Sequence, residues 1–569
     1  MTSRWASLTA WALLTTYVLC LECNVAAFEA ALETLELEGF SSLSVVYASI
    51  ILAGGSSFDP SPEYPINATN LPELCAVKFN VKSSETTSYN WAVLFPDRET
   101  WNGRLMTTGN GGFGGGINVS LITFVLETVT DCWQYPDMGE YTHYGFASVS
   151  TDTGHLSDIG DSSWALNNPE SIIDWSYRAL HGSVTLAKQI VPAYYRNNET
   201  TASRVEFSYY TGCATGGRQG LRSLQLYPDD FDGVLAGDAA WQTTNLQSWS
   251  TWMPLQNYPP DAPYHIPESL FNSVTARITS LCDSQDGIVD SIIQDSARCS
   301  IDYASLLCSC RTTNRTACLT KPQLATLKRM LSPYTINGEI IFPGLPLGSD
   351  PSLLASEGNP IGYGYFQNFL YNDTSYNFTL YTNDDYIAAV TSDPGRATAK
   401  DFDITSFKEG GGKILMYHGY ADPLIPAGLS IQYVTNTLST MGIDESQLSS
   451  FLRLFVIPGM GHCVSNTPTQ PGAPWYIAAA SQIAGIAGRL TGINNITHSV
   501  PGYMDARHDS VMALVKWVEK GVPPDELVAT KFVNDTAPVV ESQRTVCPWP
   551  KVARYTGGDL KAAHNWVCD

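Results

Sequence analysis

Tyr209-Tyr210-Thr211-Gly212-Cys213-Ala214-Thr215-Gly216-Gly217-Arg218-Gln219-Gly220 is the stretch on which the reading of the whole chain turns. Ahead of it, Arg204-Val205-Glu206-Phe207-Ser208 alternates like a strand; behind it, Leu221, Leu224, Leu226 and Tyr227 follow a helical pattern. Strand, tight glycine turn and helix make the setting of a nucleophile elbow, whose motif is G-x-S-x-G. Gly212 and Gly216 hold the outer positions, and Ala214 stands at the centre, where the motif needs a serine.

Working outward, strand and helix signals alternate. Residues 30–100 look β-rich, as in Trp91-Ala92-Val93-Leu94-Phe95, and Arg104–Thr108, Phe146–Ser150 and Phe231–Ala240 read as further strands, with a helix over Ile172–Val191. That order predicts an α/β sheet. The character changes from Trp241 to Asp401, which is rich in Tyr, Pro, Asn and Ser and holds five cysteines between Cys282 and Cys318. The strand pattern returns at Lys413-Ile414-Leu415-Met416-Tyr417-His418-Gly419-Tyr420-Ala421-Asp422 and at Leu452-Arg453-Leu454-Phe455-Val456-Ile457-Pro458-Gly459-Met460-Gly461-His462-Cys463. We therefore expect an α/β-hydrolase core built from 21–240 and 402–569, with 241–401 inserted as a lid.

A serine nucleophile needs a base within hydrogen-bond reach, and the base needs an acid to fix its tautomer. In α/β-hydrolases the chain order is nucleophile, acid, histidine. Position 214, Asp422 and His462 keep that order, and both ionisable residues sit just past an expected core strand. A Cys213–Cys463 bridge would clamp nucleophile and base together. Gly109-Asn110-Gly111-Gly112-Phe113-Gly114 formally satisfies G-x-G-x-x-G, but a lone glycine fingerprint is weak. An oxyanion loop, whose bare backbone N–H groups approach a substrate oxygen, is the better reading.

Of 569 residues 44% are hydrophobic, enough for a real core, and the chain is too long for one ordinary domain. The net charge of −23 argues against nucleic acid or an anionic membrane as partner, and suits a soluble protein in mildly acidic medium. Met1 to about Cys20 carries Arg4 and then the apolar run Trp11–Leu19, and reads as a secretory signal peptide shorter than a membrane span. Thirteen cysteines agree with export, as do eight N-x-S/T sequons at Asn67, Asn118, Asn198, Asn314, Asn372, Asn377, Asn495 and Asn534. A secreted glycoprotein is expected. Cys547 and Cys568 are expected to pair; Cys308 or Cys310 could pair with Cys318, and the pairing of Cys23, Cys75 and Cys132 stays open. The dibasic Lys328-Arg329 reads as an exposed helix face.

Gly212-Cys213-Ala214-Thr215-Gly216-Gly217-Arg218-Gln219-Gly220, His418-Gly419-Tyr420-Ala421-Asp422 and Gly459-Met460-Gly461-His462-Cys463 resemble the CS-D-HC blocks of the fungal tannase and feruloyl esterase family, with Ala214 in place of serine. The resemblance spans nearly the whole chain. It implies hydrolysis of plant phenolic esters, galloyl or hydroxycinnamoyl, through a hydroxyl at 214 with His462 as base and Asp422 as its orienting acid. Backbone N–H groups of Thr215 and of Gly111 or Gly112 would hold the oxyanion. It also implies a structural Ca²⁺ in the lid, bound by side chains of Asp283, Asp286 and Asp290 and backbone oxygens of Ile288 and Ile292, with a Cys282–Cys299 bridge bracketing the loop. Three carboxylates within eight positions suit a hard cation, although the spacing is not that of an EF-hand. Without the hydroxyl, no acyl-enzyme can form. A deliberate Ser-to-Ala exchange and a natural binding-only protein are the two explanations. The intact Asp422, His462, flanking cysteines and glycine loop favour the first.

Overall fold

The computed structural model describes residues 21–35, 42–56, 68, 70–117, 134–196, 204–309, 317–355, 359–482, 486, 503, 505–536 and 538–569. The expected signal segment, Cys132, Cys310 and the sequons at Asn67, Asn118, Asn198, Asn314 and Asn495 lie outside them.

The strands that build the central sheet are β1 (Leu43–Ile51), β2 (Leu74–Lys82), β3 (Ser88–Pro96), β4 (Arg104–Thr108), β5 (Ala147–Thr151), β6 (Phe207–Cys213) and β7 (Gly233–Gly237). A small hairpin, β8 (Tyr334–Ile336) and β9 (Glu339–Phe342), precedes the last two sheet strands, β10 (Lys413–Gly419) and β11 (Leu452–Ile457). The nine-stranded sheet has the order β1-β2-β3-β5-β4-β6-β7-β10-β11. From β5 to β11 every neighbour is parallel; β1, β2 and β3 add an antiparallel wing. This is the mostly parallel sheet of an α/β-hydrolase-like fold. The central strands are buried along nearly their whole length, which is why β7 and β10 carry apolar runs and not alternation.

The elbow strand lies a few residues later than its flanking pattern suggested. Pairing runs through Phe207–Cys213, so of the alternating stretch only 204–206 fall in the entry, and the buried tyrosines carry the ladder onward. The helix expected at Ile172–Val191 runs Pro169–Tyr195 and contains a π-helical turn at Asp174–Arg178. One short helix, Val25–Thr34, precedes the wing in a region that reads as β-rich.

The chain between β7 and β10 carries the helices Thr243–Leu255, Glu268–Asp283, Lys321–Leu331 and Asn383–Ser392 together with the β8–β9 hairpin. Lys328 and Arg329 lie in the third of these, as expected of a helix face; Arg329 donates to Thr326 Oγ1 at 2.9 Å. One hydrophobic core runs without a break from Tyr209, Val234 and Met416 of the sheet to Trp249, Phe271 and Phe342 of the insertion. Five disulfides close among the described residues: Cys23–Cys75, Cys213–Cys463, Cys282–Cys299, Cys308–Cys318 and Cys547–Cys568. The second, third and fifth are the bridges named from the sequence; the others resolve pairings left open there.

Candidate active site

Ala214 sits between the end of β6 and the helix Thr215–Leu226 with φ 56° and ψ −116°, a backbone conformation that L-residues seldom adopt. Its surroundings hold it there. The Ala214 N–H donates to the Gly237 carbonyl at 3.0 Å, and its carbonyl accepts from Ala240 N at 3.0 Å and Arg218 N at 3.1 Å. A β-carbon on Gly212 would fall 2.7 Å from the Gly216 carbonyl carbon, so the turn closes only on glycine. The helix behind it is buried from Thr215 to Leu224, including Arg218. That guanidinium lies 4.2 Å above the Trp175 ring and donates to the Ser176 carbonyl at 2.7 Å. Burial pulls its pKa down to about 9.

Asp422 follows β10 and His462 follows β11. His462 Nδ1 is 2.7 Å from Asp422 Oδ2. An ionised carboxylate only accepts, so Nδ1 carries the hydrogen and Nε2 keeps the lone pair. Asp422 Oδ1 accepts from Leu424 N at 2.7 Å and Ile425 N at 3.0 Å, which fixes the carboxylate plane. Burial works against charge on Asp422, but His462 and His418 outweigh it and hold its carboxyl well below the usual range. The Cys213–Cys463 disulfide joins the residue before Ala214 to the residue after His462.

The glycine loop after β4 packs on the elbow helix. Gln219 Oε1 accepts from Asn110 N at 2.9 Å, and Asn110 Nδ2 donates to the Thr151 carbonyl at 2.9 Å. Gly114 N donates to the Gly111 carbonyl at 2.9 Å, closing a turn. In a trans peptide the N–H opposes the C=O, so the Gly112 N–H points out of that turn. Gly112 has φ +49°, and a β-carbon there would meet the Ile159 carbonyl oxygen at 2.4 Å. The Phe113 carbonyl takes three donors: His155 Nε2 at 3.0 Å, Ser157 Oγ at 3.2 Å and Trp164 Nε1 at 3.0 Å. Sequence reasoning missed this lock, since nothing in the spacing of His155, Ser157 and Trp164 points back to residue 113.

Ala214, Thr215, Gly112 and His462 line one cavity of about 60 Å³, with Ile159, Trp175, Thr243, Leu246, Gln247, Leu354, Ile361 and Leu424 among its other walls. Trp175 Nε1, Thr243 Oγ1 and Gln247 Oε1 are buried there with no hydrogen-bond partner among the described residues. The arrangement puts Gly112, Ala214, Thr215 and His462 on one cavity, with Asp422 behind His462, and adds apolar walls with unmatched polar atoms. Thr243 and Gln247 lie four residues apart on the first helix of the insertion, in a stretch whose sequence gives no sign of which face meets the cavity.

The acidic loop lies elsewhere. Asp283, the last residue of Glu268–Asp283, accepts through Oδ1 from Asp290 N at 3.0 Å and Ile292 N at 3.3 Å. Asp286 Oδ1 accepts from Ile288 N at 2.9 Å. Burial, then the charge of Asp290, raises the Asp286 carboxyl. The donor types suit a hard cation, but the three carboxylates do not converge: among the described residues, ligand atoms cluster within 4.8 Å only at Cys213, Asp238 and Cys463 and at Asp238, Asp422 and His462. Arg544 bridges Asp290 and Gln294 instead. Of the sequons, Asn372, Asn377 and Asn534 are exposed. No described helix is long and apolar enough to cross a membrane.

A sequence profile described as "Tannase and feruloyl esterase" matches residues 75–383 and 361–569. A probable feruloyl esterase B-1 of Aspergillus fumigatus is 33% identical over 534 residues, covering 93% of this chain and 90% of that one. A probable feruloyl esterase B-2 of Aspergillus terreus is 31% identical, covering 87% and 86%. The crystal structure of feruloyl esterase B from Aspergillus oryzae superposes with a TM-score of 0.80 at 29% identity, covering 96% of this chain and 99% of that one. Tannin acyl hydrolase from Aspergillus niger shares the fold, with a TM-score of 0.70 at 19% identity and 96% of each chain covered.

Proposed function

This chain belongs to the tannase and feruloyl esterase family of carboxylic ester hydrolases, and from that premise we propose that it is a secreted, N-glycosylated framework for cleaving hydroxycinnamoyl esters, inactive as it stands because Ala214 occupies the nucleophile position. The observation that carries the reading is the backbone of Ala214, strained as a nucleophile elbow at φ 56° and sharing a cavity with a His462 that Asp422 holds at 2.7 Å. With serine at 214, the hydroxyl attacks the ester carbonyl and His462 Nε2 takes its proton. Asp422 steadies the imidazolium, and the N–H groups of Gly112 and Thr215 receive the oxyanion. His462 then protonates the departing alcohol, and water repeats the sequence to release the acid. As it stands, loss of the nucleophile costs on the order of 10⁶ in rate.

The cavity walls support an aromatic acid: Leu246, Leu354 and Ile361 offer apolar contact, and Thr243 Oγ1 and Gln247 Oε1 offer partners for ring hydroxyls. Substrate pockets run to ~300–1,000 Å³, so the side chains from the insertion must move apart to admit a ring into about 60 Å³. Likeness to the feruloyl esterases B supports the hydroxycinnamoyl reading over the galloyl one. We also propose a structural Ca²⁺ far from the ester, held by Asp283, Asp286, Asp290 and the carbonyls of Ile288 and Ile292 once Asp290 gives up Arg544.

The test is the Ala214→Ser protein, produced in a secreting host. It is expected in the medium, to gain mobility on N-glycosidase digestion, and to turn over methyl ferulate faster than methyl gallate. Faster gallate turnover would make it a tannase, and no turnover of either would leave a phenolic-ester-binding protein.

A further inference from the structure

Behind His462, which lines the cavity, and its partner Asp422 lies a second pair, Asp238 just past β7 and His418 near the end of β10, both buried, as is Asp422. The His418 ring is pinned at both nitrogens. Nε2 lies 2.8 Å from the Ile425 carbonyl oxygen and Nδ1 lies 2.7 Å from Ser430 Oγ. A carbonyl only accepts, so Nε2 carries a hydrogen. The same nitrogen is 3.4 Å from Asp238 Oδ1 and 3.5 Å from Asp422 Oδ2, the oxygen that receives the His462 N–H. Asp238 has φ 37°, and its Oδ1 accepts from Gly419 N at 2.9 Å. Its Oδ2 is 3.5 Å from Cys213 Sγ, a disulfide sulfur with no hydrogen to give.

One oxygen each of Asp238 and Asp422 falls, with a ring nitrogen of His462, within a 4.8 Å cluster. Two carboxylates this close and cut off from water do not both ionise without a cation between them. The charged groups that act on Asp238 are His418, Asp422 and His462, and those on His418 are Asp238 and Asp422. From the helix Gly428–Met441 the polar contact is the neutral Ser430 hydroxyl, and the neighbouring disulfide is uncharged. His418 is the group placed to supply the charge.

We propose that His418 is a buried imidazolium set between Asp238 and Asp422, with Asp238 as its counter-ion, a positioning cation that lets Asp422 stay ionised for His462. The direction of the shift at His418 agrees. Burial opposes charge on His418, yet Asp238 and Asp422 raise it. Burial raises Asp238 to about 7 against the pull of the His418 charge, so Asp238 completes its role as counter-ion only as pH passes neutral. His418 Nδ1 then donates to Ser430, and the hydroxyl is left to donate elsewhere.

The inference rests on reading Asp422 and His462 as acid and base, but its test needs no turnover. In the Ala214 protein, nitrogen-15 spectra of the imidazoles are expected to show His418 doubly protonated at neutral pH. Asp238→Asn keeps the acceptor for Gly419 N and is expected to lower the His418 midpoint by about one unit, a tenfold loss of proton affinity. A His418 seen as the neutral Nε2–H tautomer at neutral pH would overturn the proposal. So would a midpoint that does not move in Asp238→Asn. An inactive Ala214→Ser protein would instead remove the esterase reading and leave the charge of His418 untouched.

Discussion

At Gly112 one hydrogen atom stands in for a side chain, and the oxyanion loop depends on it. The residue has φ +49°, and the Ile159 carbonyl occupies the space a β-carbon would need. In an Ala214→Ser background, Gly112→Ala is therefore expected to lower kcat by about 10²-fold, the scale of losing one oxyanion donor, with little change in KM. Steady-state kinetics on methyl ferulate check it; an unchanged kcat would take Gly112 out of the oxyanion role. The three blocks around 214, 422 and 462 were legible because catalytic geometry demands particular residue types just past strands. Asp238 and His418 were not, although both stand in stretches that read as strand ends. A second carboxylate and a second imidazole gain meaning only when β7 and β10 are known to be neighbours.

At the scale of the element, the loop Asp283–Ile292 is a turn folded on its own carboxylates. Asp283 satisfies two backbone N–H groups and Asp290 one, while Arg544 supplies the positive charge. If a cation takes over that charge, its removal returns Asp290 to Arg544, and the loop loses the ion's links to Asp283 and Asp286. Chelator is then expected to lower Tm by about 2–3 degrees, on the order of 3 kcal/mol in a chain of this size, and added Ca²⁺ to restore it. A melting curve indifferent to both would sink the calcium proposal. Here the acidic pattern was visible in the sequence, but the competing guanidinium was not, because Arg544 comes from a strand 254 positions beyond Asp290. The insertion as a whole was recognisable only by its composition. Which helix faces meet the cavity depends on packing against the sheet, and composition carries no record of that.

For the whole molecule, the Cys213–Cys463 bridge spans 250 positions and ties the two halves of the core at the site itself. Replacing both cysteines with alanine is expected to cost on the order of 2–5 kcal/mol in urea unfolding. In the Ala214→Ser background kcat should fall as well, because His462 loses its covalent register with the elbow. Stability lost with kcat intact would make the bridge a staple only. The sheet order carries a different consequence, one of timing. β7 pairs with β10, yet the entire insertion is synthesised between them. A chain leaving the ribosome in order holds β7 as an open sheet edge until residue 413 arrives, with its unpaired backbone groups available to any passing strand. Such non-local closure is slow, so the burden of this architecture falls on the half-made protein, which must keep an edge unoccupied that the finished one never shows.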